Sequence, residues 1–289
     1  MVESIDASGA VVNITKDVID HLQDASIPLD SIDSIIWSHS HNDHIGDPSL
    51  YPNTTSLIVG PTFKSNPKLY PGYPINNESV LPQVIMEGRD VIEVEFNDTG
   101  LQIGNFSAID FFGDGSLYLL EGPGHTPEHI CALARTSKDK FVFLGGDAAH
   151  HNGQYRPTEL IPLPEYIRPS PFEDVHSHSV CPGEIFERIH PAVALGEDYR
   201  TTPFYNQSST ADASVIDGGI TLGKAEVFDA SPDVLFIISH DGSMKDILPF
   251  LPAKLNGWEE RDWKELNRWK FLQDFEKALE LAGNGTQND

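Results

Sequence analysis

Helical spacing of apolar residues first appears over Thr15–Asp24, where Val18, Ile19 and Leu22 fall on one face. Apolar runs of strand length come next at Ile35–Trp37, Ser56–Gly60, Val91–Phe96, Leu101–Phe112 and Leu117–Leu120. Ile130–Arg135 and Phe141–Leu144 read as a hairpin turning at Ser137-Lys138-Asp139. Val234–Ile238 reads as a last buried strand. From Trp258 to Leu281 the pattern is helical again, with Trp263, Leu266, Trp269, Leu272 and Phe275 able to face a core. Residues 152–184 carry Pro157, Pro162, Pro164, Pro169, Pro171 and Pro182, which predicts irregular chain. Strands mixed with helices, and no internal repeat, predict a single α/β domain over residues 1–289.

Four of the apolar runs end in metal-ligating residues. Ile35-Ile36-Trp37 leads into Ser38-His39-Ser40-His41-Asn42-Asp43-His44, closed by Gly46. Leu117–Leu120 leads to Gly122-Pro123-Gly124-His125, Phe141–Leu144 to Gly145-Gly146-Asp147, and Val234–Ile238 to Ser239-His240-Asp241. Imidazole and carboxylate are the donors that zinc and similar borderline cations prefer. Strand ends are where a rigid scaffold can aim such groups at one point. A lone histidine in this chain would be an ordinary surface residue, and the ordered set is what carries the argument.

That set resembles the metallo-β-lactamase superfamily over at least residues 33–241. The resemblance implies a first metal site at His39, His41 and His125, a second at Asp43, His44 and His240, and a bridging carboxylate at Asp147. It implies a four-layer αββα sandwich and two Zn2+ per chain. Asp43 and Asp147 suit the di-zinc hydrolases. The zinc enzymes that destroy antibiotics often carry Cys where Asp147 stands, which disfavours that activity. Leu163–Pro171 and Cys181-Pro182-Gly183 resemble a fungal branch close to the quorum-quenching (N-acyl homoserine) lactonases. Members of the superfamily open with strands of the first sheet. Here the 38 residues before His39 read as Val11–Ile14, the Thr15–Asp24 helix and a linker, Ala25–Asp33. The first strands are therefore expected to be missing, leaving an exposed sheet edge that invites association.

Charge narrows the partners. The chain has 289 residues and a net charge of −25, from 44 acidic and 19 basic side chains. Phosphate backbones need clustered Lys and Arg, so no nucleic-acid partner is expected. No apolar run approaches the ~18 residues that span a bilayer, so no membrane is expected. Met1–Asp6 lacks the basic-then-apolar pattern of a secretory leader, which predicts a cytoplasmic protein. Cys131 and Cys181 are too few for a disulfide framework and read as inert thiols.

The chemistry these residues imply is hydrolytic. Zinc acidifies water to a pKa of about 7 and polarises a carbonyl. The resemblance implies that Asp43 gives the leaving group its proton. Imidazole ligands must be neutral, so activity should fall at acid pH. A phenol could assist at the oxyanion, with Tyr155, Tyr166 and Tyr205 as candidates. His150 and His151, just after Asp147, could orient a ligand. The long segment Pro157–Pro182 is expected to wall the substrate pocket. The favoured substrate is a small molecule, a lactone or related cyclic ester. The alternatives are a cyclic amide or carbamate, a thioester as in enzymes resembling glyoxalase II or polyketide-releasing enzymes, or a degenerate protein that only binds metal.

Overall fold

The computed structural model describes residues 15–96 and 100–284. The expected strand at Val11–Ile14 lies outside them, and the expectation about the opening strands rests on it. Two compact units divide the chain. The first holds the described residues of Met1–Asp98 with Phe250–Lys254, and the second those of Thr99–Pro249 and Leu255–Asp289.

Unit 1 begins with α1 (Val18–Asp24), where the Asp17 carboxylate accepts from the backbone N–H groups of Ile19 and Asp20. Such a cap satisfies donors that the first helical turn leaves open. Ile19 and Leu22 are its buried residues. Three short strands form a parallel sheet in the order β1 (Ser34–Ile36), β2 (Ser56–Val59), β3 (Val91–Glu93). The core around it holds Trp37, Leu57, Val59, Phe63 and Leu81.

Unit 2 is built on a six-stranded sheet. Its strands in chain order are β4 (Gln102–Ile103), β5 (Phe106–Asp110), β6 (Leu117–Glu121), β7 (Ile130–Arg135), β8 (Phe141–Leu144) and, after a long crossover, β11 (Val234–Ile237). The order across the sheet is β11-β8-β7-β6-β5-β4, antiparallel except for the parallel β11–β8 pair. Two antiparallel steps separate β6 from β8. Consequently β6, β8 and β11 all run the same way and deliver the loops at their C-terminal ends to one edge of the sheet.

A long helix lies in the crossover, after β9 (Tyr166–Ile167), β10 (Cys181–Pro182) and α2 (Pro191–Leu195). This helix, α3 (Val215–Ala230), buries Leu222, Ala225 and Phe228 at helical spacing. They join Phe106, Phe143 and Phe236 of the sheet in one core, with Phe143 4.9 Å from both Phe228 and Phe236. Aromatic pairs at this separation add to the area they bury.

The structure departs from the sequence reading at three places. The run Leu101–Phe112 is two strands, because Gly104 and Asn105 both take positive φ (56° and 67°) and turn β4 into β5. Paired left-handed residues are the signature of a tight hairpin. The helix expected over 258–281 is broken into α4 (Trp263–Arg268), a 3-10 run (Lys270–Phe275) and α5 (Glu276–Asn284). Its aromatic residues serve two cores. Trp258 and Trp263 pack with Val142 and Leu235, whereas Trp269, Phe271, Leu272 and Phe275 pack with Ile161, Leu163, Ile167 and Phe186. One straight helix cannot present all of them. The proline-rich segment has little regular structure, as expected, but it supplies Ile161, Leu163, Ile167 and Cys181 to that second core rather than forming a loose excursion.

Glu226, on α3, is pushed up to about 7 by burial, with Asp229 adding repulsion. Its ionisation therefore opposes folding. Between an ordinary carboxylate pKa and about 7, the unfolded chain loses this proton first, so stability falls as pH rises through that window. Glu226→Gln is expected to flatten this slope and to raise the unfolding midpoint at pH 8. Urea titrations at pH 5 and pH 8 measure it, and an unchanged pH dependence would refute the assignment.

Candidate metal centre

In unit 1, β1 runs out into the His39–His44 loop. Two contacts shape that loop. The Trp37 indole N–H donates to the Ile45 carbonyl at 3.0 Å, and the His44 N–H donates to the His41 carbonyl at 3.0 Å. Gly46 then takes φ 54°, which a side chain would strain. Tightly turned, the loop gathers its imidazoles, edge-on or tilted to one another. His39 lies 4.6 Å from His41 and 4.3 Å from His44, ring centre to ring centre. The Asp43 carboxylate is 3.3 Å from His44 Nε2. Four nitrogen and oxygen donors thus share one short loop.

In unit 2, the parallel directions of β6, β8 and β11 bring His125, Asp147 and His240 to the same sheet edge. Asp147 Oδ2 is the focus. His240 Nε2 lies 3.2 Å from it, His125 Nε2 3.4 Å and His150 Nε2 3.4 Å. Zinc bonds of about 2.0–2.1 Å place neighbouring donors of a tetrahedron about 3.3 Å apart. The three spacings therefore suit donors that share a cation.

Each of these groups is held from behind. The Gly145 N–H donates to Ile237 O at 2.7 Å and the Ser239 N–H to Gly146 O at 3.0 Å, which locks the ends of β8 and β11 together. His129, fully buried, donates from Nδ1 to Gly122 O (2.7 Å) and accepts at Nε2 from the Asp147 N–H (3.0 Å). A carbonyl can only accept, so this pair of contacts sets the tautomer. Gly124 (φ 144°) brings the His125 loop against α3, where a Cβ would stand 2.3 Å from Gly218 Cα. Asp241 anchors the loop bearing His240, accepting from Asn152 Nδ2 (2.8 Å), Asn267 Nδ2 (2.9 Å) and the Ser243 N–H (3.0 Å).

The other expected residues divide. His150 faces Asp147, whereas His151 turns away, with Nε2 3.2 Å from Asp274 and its ring against Tyr205. The Tyr155 phenol does not fit a substrate role. It is 1% exposed and donates to Asn152 Oδ1 at 2.8 Å, so it is part of the core. Tyr166 is exposed but lines a cavity of about 420 Å³ with Glu165, Glu184, Glu187 and Arg200, which carries no imidazole. Tyr205 is partly exposed beside His151. Sequence reading missed His129, Asp212 and Asp241. His129 had a local signal, a second histidine four residues after His125. Asp212 had none, because only folding brings it 3.7 Å from His125 Nδ1.

The donors suit a divalent metal by chemistry as well as by spacing. All are nitrogen or oxygen, and both cysteines are buried free thiols, with Cys131 pushed up to about 12 by burial. A protonated thiol is no ligand. Among the described residues, no helix is long and apolar enough to cross a membrane.

No family model matches the chain. Curated relatives do. A gamma-lactamase of Fusarium pseudograminearum is 39% identical over 98% of this chain and 68% of its own length. A metallo-hydrolase of Annulohypoxylon moriforme is 41% identical over 88% of this chain and 64% of its own length. A gamma-lactamase of Gibberella moniliformis is 48% identical over 66% of this chain and 79% of its own length. The chain thus spans about two thirds of the length of the first two. A solved N-acyl homoserine lactone hydrolase superposes with a TM-score of 0.49 at 14% identity, over 82% of this chain and 66% of its own. With identities of 39% over 98% of this chain and 41% over 88% of it, the protein belongs to the metallo-β-lactamase superfamily, in the group of fungal gamma-lactamases and metallo-hydrolases.

Proposed function

We propose that this chain is a di-zinc hydrolase that opens a small cyclic amide or ester, a γ-lactam ahead of a lactone. The observation that carries the metal reading is the convergence of His125, His150 and His240 Nε2 on one Asp147 oxygen. On this proposal, the His39–His44 loop of unit 1 completes the set. His39, His41 and His125 would hold one ion and Asp43, His44 and His240 the other, with Asp147 available to both.

The relatives' names support the lactam. The residue pattern alone favours a lactone, and a relative called an N-acyl homoserine lactonase, 27% identical over 46% of this chain, keeps that second reading. When bound, the ions supply Lewis acidity, acidifying water and polarising the carbonyl. The protein supplies the rest. Asp147 and the neutral imidazoles set donor geometry. The Asp43 carboxylate, beside His44 and open to solvent, carries a proton to the departing nitrogen or oxygen. An amide nitrogen is too basic to leave as an anion, so ring opening of a lactam depends on that proton more than opening of a lactone does.

The test is a panel of γ-lactam, γ-lactone and thioester substrates with zinc-loaded protein, alongside elemental analysis. Turnover of cyclic amides or esters with two ions per chain is expected. Preference for the thioester, or a single ion per chain after zinc supplementation, would overturn the reading. Asp43→Asn is expected to lower turnover by about 10²–10⁴-fold, with the larger loss on the lactam. A fully metal-loaded variant with normal turnover would remove Asp43 from the proton-donor role.

A further inference from the structure

His150 lies outside the seven ligands that the superfamily pattern assigns, yet it is placed like one of them. Its Nε2 stands as close to Asp147 Oδ2 as that of His125, at 3.4 Å. Its ring stacks on His240, with centres 5.4 Å apart and planes 18° from parallel, and lies 4.7 Å from His125. One donor atom each from Asp147, His150 and His240 lie within 4.8 Å of one another. The same holds for His125, His150 and Asp212.

The surroundings hold His150 in that position. Its backbone N–H donates to Gln154 Oε1 at 2.6 Å. Gln154 in turn donates to Gln207, and Gln207 donates to the Ala148 carbonyl at 3.0 Å. Nδ1 of His150 and Oδ1 of Asp212 are both buried atoms that make no hydrogen bond among the described residues. The Asp212 side chain is 1% exposed and faces His125 Nδ1 at 3.7 Å. Burial raises its pKa. A buried carboxylate with a spare oxygen, on the far side of the His125 ring and within 4.8 Å of a His150 nitrogen, is the usual kind of outer partner of metal-binding histidines.

We propose that unit 2 holds a cation site of its own, made by Asp147, His150 and His240, with Asp212 as the positioning residue beside His150. Three donors within reach of one point are enough for a zinc site that keeps its fourth position open. The site needs no residue of the His39–His44 loop. Metal would then stay on unit 2 whether or not the loop contributes, and the loop's ligands would complete the dinuclear centre on a site already filled. Such a site deepens the proposed metal function and rests on it.

The full chain tests this by metal content. The variant His39→Ala/His41→Ala/Asp43→Ala/His44→Ala removes the loop's donors. It is expected to keep about one zinc per chain after gel filtration, and adding His150→Ala is expected to weaken its hold on that zinc at least ~10-fold in chelator competition. Asp212→Asn in the loop variant should weaken retention about 10–100-fold in chelator competition, with Asp212→Glu recovering part of it. Circular dichroism shows whether each variant is folded. A measurement with the loop intact decides the question independently. Co2+ titration of His150→Phe should weaken one of two equivalents at least ~10-fold and shift its visible bands. Two wild-type equivalents with none left in a folded loop variant, or Co2+ binding unchanged in His150→Phe, would overturn the site and leave the dinuclear reading standing. Wild-type protein that takes up no metal would overturn both.

Discussion

Asp147→Ala is expected to strip the centre of metal and to lower hydrolysis on the order of 10³-fold or more. Lewis-acid stabilisation of the transition state is worth several kcal/mol, and each ~1.4 kcal/mol is a factor of ten. Asp147 has the largest expected effect because three imidazoles meet at its Oδ2, at 3.2–3.4 Å. Loss of any one histidine leaves the others around the carboxylate, whereas loss of the carboxylate removes the one group that all three imidazoles face. The fold should survive the change. His129 binds the backbone N–H of residue 147, not its side chain, and the ends of β8 and β11 are joined by main-chain bonds. Elemental analysis, kcat/KM on the preferred substrate and circular dichroism test this together. A folded variant that retains both ions and its activity would contradict the central role given to Asp147.

Asp229→Ala is expected to be the most destabilising single change, by about 3–5 kcal/mol. Arg156 and Asp229 form a bidentate pair, Nε to Oδ2 at 2.7 Å and Nη2 to Oδ1 at 2.6 Å, with both side chains almost fully buried. Arg156 Nη1 donates to Arg268 O at 2.7 Å, and Lys264 Nζ donates to the carbonyls of Asp229 and Val234. Three pieces of chain far apart in sequence are tied here: the start of the proline-rich segment, the end of α3, and α4. Removing the carboxylate leaves a buried guanidinium near a lysine without the anion that pairs with it directly. Replacing both partners, as in Arg156→Met/Asp229→Leu, should recover most of the loss, because two apolar groups leave no charge stranded. Urea midpoints of the two single variants and the double variant decide it. Equal losses for single and double variants would mean that the pair acts through packing and not charge.

Much of the candidate centre was legible in the sequence because its ligands sit at the ends of apolar runs. A run such as Phe141–Leu144 announces a buried strand, and Gly145-Gly146 announces the turn that frees Asp147 beyond it. The spacing of those runs was enough to find β1, β2, β6–β8 and β11 to within a residue or two, since period and burial are local properties. The hairpin at Gly104-Asn105 was equally local, and its turn residues were overlooked within a longer apolar run.

Residue order alone determined that His39, His41, Asp43 and His44 share one loop, and that His125, Asp147 and His240 each come after a strand. Tertiary structure decided which neighbours act with them. Nothing in the order of residues tells that β6, β8 and β11 run the same way, and that direction is what turns three separate strand ends into one cluster. Nor does order distinguish His150 from His151. One faces Asp147 and the other faces Asp274 because the backbone turns between them. The choice among phenols was decided the same way, by burial of Tyr155 behind Asn152. The broken C-terminal helix shows the general reason. Its amphipathic pattern fits a continuous helix, but the aromatic residues fill two separate cores, and packing against partners distant in the chain outweighs the local preference for one helix.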